Sequence, residues 1–119
     1  MDALTTIRVG LGALAAVIGL ALVLGGTLGL LRFPDVFTRL HAASVSDGPG
    51  AVIFLIGLAL MAPDWAIAVR VLLLALLIAA LAPLFAHLVA ASAHAGGIAP
   101  IAGRYTAPRP GAQRLENKP

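Results

Sequence analysis

The stretch Arg32-Phe33-Pro34-Asp35-Val36-Phe37-Thr38-Arg39-Leu40-His41-Ala42-Ala43 decides how the rest of the chain is read. It places three charges and a histidine within ten positions, in a chain of 119 residues whose charged fraction is 11%. Long apolar runs flank it on both sides. A water-soluble domain usually carries about 25% charged residues. A chain that is 61% hydrophobic and gathers its few charges at segment ends distributes them as an integral membrane protein does. The fold class is therefore all-α integral membrane: three transmembrane helices, with a short amphipathic connection between the first and second.

Working outward toward the N-terminus, Val9 to Leu31 runs for 23 residues without a charge. At a rise of about 1.5 Å per residue, this crosses a hydrocarbon core of about 30 Å with some tilt. The run is longer than the apolar region of a cleaved signal peptide and ends in Leu-Leu-Arg-Phe-Pro, so it reads as a retained span. Small residues recur along it at Ala21, Gly25 and Gly29, with Gly12, Ala15 and Gly19 nearby. Small residues let helix backbones approach closely in lipid, so the pattern reads either as a docking face or as a general richness in Gly and Ala.

Within the connection, Pro34 suits the first turn of a helix because it has no N–H to leave unpaired. Val36, Phe37, Leu40 and Ala43 then fall on one face. Asp35 and Arg39 stand four apart, acid before base, which is the favourable order for a helical ion pair. The expectation is a short helix lying at the membrane surface, with Arg32 and Arg39 at headgroup level.

Toward the C-terminus, Ser44 to Gly50 is rich in breakers and caps, and Asp47 can cap a helix that has Pro49 in its first turn. The second span then covers about residues 46–62. Its apolar part, Gly48 to Ala62, is about 22 Å long as a helix, short of a full crossing. If the helix begins earlier, near His41 to Ser44, Asp47 falls inside the membrane boundary and becomes a functional candidate.

Pro63-Asp64-Trp65 forms the next turn, with Trp65 as an interfacial anchor. The third span covers about residues 66–91, and Arg70 near its start can snorkel outward. Pro83 and His87 stand four apart with Ala79 one turn earlier, so this stripe reads as a proline-kinked, buried interhelical face. His87 there is either a proton or cation relay or an interface residue hydrogen-bonded across helices. Residues 1–107 form the membrane domain, and 108–119 read as a disordered cytoplasmic tail.

The basic residues set the orientation. Arg32, Arg39, Arg104, Arg109, Arg114 and Lys118 fall on one side, and Arg8 and Arg70 on the other. The positive-inside rule then places the N-terminus outside and the C-terminus in the cytoplasm. The basic balance is not a nucleic-acid signal, because no soluble face carries it.

Catalytic chemistry is not expected. The five acids, Asp2, Asp35, Asp47, Asp64 and Glu116, form no active-site pairing with a histidine. The glycines form no phosphate-cradling loop. There is no cysteine, and His41, His87 and His94 are too scattered for a metal cluster. No enzyme activity, cofactor or metal is expected. Three spans with so few ionisable residues at depth cannot enclose an ion path alone, so the chain reads as a component that docks on something larger.

The run Gly29 to Ala43 resembles the signature of the small G-type subunit of the Mrp-type multisubunit cation/proton antiporters, also called Mnh, or Pha for the potassium form. That signature is Gly-x-x-Arg-x-x-Asp-Val-aromatic-x-Arg-x-His-Ala, and every fixed position is matched here. Pro83, His87 and the small Ala90 and Ala91 are similar to the family's third helix. The resemblance covers about Val9 to Tyr105. This chain departs where the family often has a lysine, here Val45, and Thr-Leu, here Gly48-Pro49.

The resemblance implies a small accessory subunit of a multisubunit Na+ or K+/H+ antiporter in the bacterial cell membrane. Its partners would be the other subunits, the lipid bilayer and the transported ions of the assembly, with no nucleic acid. The residues it points to are Arg32, Pro34, Asp35, Arg39, His41, Asp47, Pro83 and His87. The competing reading is a stand-alone small membrane protein, holin-like or a scaffold of an unrelated complex, favoured by the Gly/Ala-rich first helix.

Overall fold

The computed structural model describes residues 2–98, 101–102 and 105–106. Helix α1 spans Ala3–Arg32, starting earlier than the uncharged run alone suggests. Arg8 poses no barrier to helix formation, since it lies where the helix leaves the apolar layer. The helix ends because Pro34 disfavours helical backbone at the residue before it. Phe33 accordingly turns extended, at φ −75° and ψ 135°, while its N–H still donates to the Gly29 carbonyl at 3.0 Å.

Among the described residues, three helices are long and apolar enough to span a membrane, as the sequence leads one to expect. The connection between the first two differs in one respect: it is continuous with the second span. Helix α2 runs from Val36 to Met61, 26 residues, and the amphipathic segment is its own first turns. The region read as a cap lies inside the helix. Val36–Val45 is α-helical, Ser46–Gly50 is a π-helical turn, and Ala51–Met61 is α-helical again. Pro49 is the cause. An internal proline removes one helical donor, and its ring crowds the carbonyl four residues back. Widening the turn relieves that crowding, and the Ala51 N–H donates to the Ser46 carbonyl five residues earlier. Asp47 is therefore not an N-cap.

Helix α3 spans Trp65–Ala95. Asp64 caps it, its carboxylate accepting the Ile67 N–H at 2.9 Å. The helix continues unbroken through Pro83 and closes at Gly97, whose φ of 78° is open to glycine at little cost. The Gly97 and Ile98 N–H groups there donate to the carbonyls of His94 and Ala93, the Schellman pattern that closes a helix. Beyond it, Ile101–Ala102 pairs antiparallel with Tyr105–Thr106. The expected disorder of 108–119 lies outside the described residues.

The three helices form one layer. α1 packs along α2, and α3 packs along α2, but among the described residues no Cα of α1 comes within 8 Å of one in α3. The contact between α1 and α2 is made by glycines. Gly12, Gly19 and Gly26 are the buried residues of α1. A β-carbon on Gly57 of α2 would stand 2.6 Å from the Gly12 carbonyl oxygen, and one on Gly50 3.1 Å from the Val23 nitrogen. The docking face is thus a stripe at seven-residue spacing. Gly25, expected on it, has nothing within 4 Å, whereas Gly29 makes contact with Ala42 and Phe33.

Side-chain size is distributed inversely to that of a soluble core. Ala42, Ala59, Ala62, Ala75 and Ala93 are buried, while Leu11, Leu14, Leu28, Leu73, Leu76 and Leu88 are exposed. Large apolar side chains facing outward and small ones facing inward suit hydrocarbon surroundings, where close backbone packing replaces the hydrophobic drive.

Candidate functional site

The eight residues singled out in the sequence do not converge on one place. Four of them build the turn between α1 and α2. Arg32 ends α1 as an exposed base in its last turn, complementing the helix dipole. Pro34 is exposed in the turn itself. Asp35 is the N-cap residue of α2, extended at φ −111° and ψ 143°, and only 6% exposed. Its backbone carbonyl accepts the Arg39 N–H and the Thr38 hydroxyl, each at 2.9 Å.

The expected Asp35–Arg39 ion pair is not formed. Asp35 sits in extended backbone before the first helical turn, so the two side chains do not share a helical face. The Arg39 Nε instead donates to the carbonyl oxygen of Phe33 at 2.6 Å. That carbonyl is freed where α1 stops, and the guanidinium satisfies it across the turn. The motif is thus a clamp on the backbone between two helices. His41 is exposed one turn into α2, and its carbonyl accepts the Ser44 hydroxyl at 2.7 Å.

Asp47 stands apart from this clamp. It lies eleven residues beyond Val36 and fourteen before Met61, about 17 Å and 21 Å along the helix. On α1 the same level falls between Val23, which meets Gly50, and Gly26, which meets Ser46. This is six to nine residues from Arg32, or about 9–14 Å below that end of the layer. Asp47 is therefore at membrane depth. It opens into a cleft of about 430 Å³ between α2 and α3, whose α3 wall includes Leu77, Leu81, Phe85 and Val89. The early helix start, one of the two options left by the sequence, is the one the structure takes.

Pro83 and His87 depart from the expected packing. They are exposed, and so is Ala79. The face of α3 turned to α2 carries the buried Ala75 and Ala93 instead. His87 follows the cleft-lining Phe85 by two residues, about 200° around the helix, so it points away from both other helices. Within this chain the Pro83–His87 stripe is an outer face.

Sequence reasoning missed two features at the other end of the layer. The Arg8 guanidinium reaches the Ala62 carbonyl at the end of α2, at 3.5 Å, a cation at a helix C-terminus. A second, smaller cleft of about 310 Å³ lies there between Arg8, Pro63, Asp64 and Trp65. A lone basic residue at a hairpin end was the available signal for the first.

The family described as Na+/H+ antiporter subunit, PhaG/MnhG/YufB, matches residues 15–94. A UPF0091 protein of Pyrococcus horikoshii is 41% identical over 75 residues, 63% of this chain and 73% of the relative. One of Rickettsia conorii is 46% identical over 77 residues, 65% of this chain and 73% of the relative. A chain in the structure of the Mrp complex from Dietzia sp. DQ12-45-1b superposes with a TM-score of 0.76 at 34% identity, covering 88% of this chain and 95% of that one. A chain of the membrane-bound sulfane sulfur reductase, an archaeal respiratory membrane complex, gives a TM-score of 0.71 at 27% identity, covering 90% and 97%. The family match spans most of the chain, and the Mrp-complex chain shares its fold: the chain belongs to the PhaG/MnhG/YufB family of Na+/H+ antiporter subunits.

Proposed function

We propose that the chain is a non-enzymatic accessory subunit of a multisubunit monovalent-cation/proton antiporter, seated in a bacterial cell membrane beside larger subunits. One observation carries this reading beyond family membership. The layer is a single helix thick, and it leaves Asp47, at membrane depth, on one face and His87 on another, both uncovered by the chain itself. Ionisable groups at such depth face protein or water-filled cavities rather than lipid. Neighbouring subunits supply that cover, and lipid meets the leucine-rich remainder. The transported ions, Na+ or K+ and H+, belong to the assembly as a whole.

The holin-like alternative rested on the glycine-rich first helix as a self-association face. Gly12, Gly19 and Gly26 are occupied by α2, so that face is closed to a second copy. The excess of basic residues at the Arg32–Arg39 end supports a cytoplasmic position for it. Deleting the gene and assaying antiport in everted membrane vesicles tests the reading. Loss of antiport that a plasmid copy restores is expected; full antiport in the deletion strain contradicts it. A cysteine at Thr38 that reacts with an impermeant reagent from outside intact cells would reverse the orientation.

A further inference from the structure

We propose that Asp47 is a proton-binding carboxyl of the assembled antiporter, taking up and releasing one H+ in the α2–α3 cleft. This deepens the antiporter-subunit reading and rests on it. Three independent features of the fold converge on this side chain. The first is depth: about 17 Å from the start of α2, Asp47 is well below the Arg32 and Arg39 level. The second is aim. Asp47 follows Leu40, Ala43 and Ser44 at helical spacing and lines the cleft with them, while Ser46 and Gly50 face α1; it lies in the π-helical turn Ser46–Gly50. Turns of this kind are frequent at functional positions in helices.

The third feature is the chemistry of the cleft. Leu40 of α2 and Leu77, Ile78, Leu81, Phe85 and Val89 of α3 line it with hydrocarbon. Among the described residues, only Asp47 and Ser44 bring side-chain oxygen to it, and the Ser44 hydroxyl is already directed to the His41 carbonyl. An alkali cation that sheds its water must replace the lost shell with a ring of oxygens, and this cleft does not offer one. A proton needs one carboxylate oxygen. Binding it converts a charged group into a neutral one, which hydrocarbon tolerates far better. Among the described residues, no other titratable side chain lines the cleft from α2 or α3, and α1 contributes nothing to its wall. What this chain brings to the cleft therefore suits H+ and supplies no oxygen ring for Na+ or K+.

The test is carbodiimide labelling of the purified complex. Dicyclohexylcarbodiimide is apolar and adds to protonated carboxyls in apolar surroundings, and the modified residue is read by mass spectrometry of the Asp47 peptide. Labelling of Asp47 is expected, with antiport lost in proportion to it. Sodium chloride is expected to protect no more than choline chloride at equal ionic strength. Asp47→Asn is expected to assemble at the wild-type level and lose antiport. Protection by sodium but not choline overturns the proposal in favour of an alkali-cation site. No labelling in an active complex, or full antiport by an assembled D47N complex, also overturns it. The labelling needs no variant, so a D47N chain that fails to assemble leaves the decision with the wild type. An active complex with a silent Asp47 sinks this proposal alone; a chain never found with antiporter subunits sinks the reading beneath it.

Discussion

Gly26 of α1 lies so close to Ala42 of α2 that a β-carbon on it would stand 2.6 Å from the Ala42 carbonyl oxygen. The neighbouring Gly25 has nothing within 4 Å. Two adjacent glycines on one helix thus give opposite expectations. Gly26→Ala forces the backbones apart and costs about 1–3 kcal/mol, the range for overpacking. Gly25→Ala removes backbone entropy from the unfolded chain without a clash and stabilises by about 0.5–1 kcal/mol. Unfolding in detergent, followed by helix signal, measures both, and equal effects of the two substitutions contradict the packing described.

The clamp at Arg39 predicts independence from Asp35. Arg39→Ala leaves the Phe33 carbonyl without its donor and costs about 1 kcal/mol. Asp35→Asn weakens the favourable charge at the N-terminus of α2 by about 0.3–1 kcal/mol. Since the two side chains are not paired, a double-mutant cycle gives a coupling below about 0.5 kcal/mol. A coupling well above that restores the ion pair the sequence suggested.

The failure of that ion pair shows what was legible and what was not. Charge depletion and apolar length identified three helices, because hydrocarbon thickness leaves few alternatives. The motif's residues were visible, but their geometry was not, since Asp35 adopts extended backbone and helical spacing does not apply across a cap. Pro49 misled for a related reason. A proline near small and polar residues usually marks a helix start, and only packing against α1 on both sides of it, at Ser46 and Gly50, holds the chain helical through a widened turn. The small-residue stripe was legible in part: Gly29, Gly12 and Gly19 do meet α2, whereas Gly25 does not and Gly26 takes its place in the buried seven-residue series Gly12, Gly19, Gly26. His87 was placed inside because small neighbours suggest close packing, and one chain's sequence does not say whose packing it is.

Pro49 itself gives a prediction about the cleft. Pro49→Ala permits a regular α-helix, which turns the two halves of α2 by about 100° relative to each other. Ser44 and Ile78 line the same cleft from opposite walls. Cysteines placed at these two positions are expected to cross-link in the parent chain and to do so less in the Pro49→Ala chain. Unchanged cross-linking shows that the turn does not depend on the proline.

His87 predicts a separation between fold and assembly. Exposed and directed away from α1 and α2, it contributes little to the chain's own stability, so His87→Ala shifts detergent unfolding by no more than about 0.5 kcal/mol. The same substitution removes a hydrogen-bonding group from the face offered to a neighbour, and less of the chain is expected to be recovered with its partners. A variant that unfolds readily while still assembling fully reverses the assignment.

The central claim is that this three-helix layer works only when covered by other proteins. Native mass spectrometry of the tagged chain, extracted from its own membranes in mild detergent, tests it most directly. The account predicts one copy of the chain in a particle with large antiporter subunits. A homo-oligomer, or the chain alone, contradicts it.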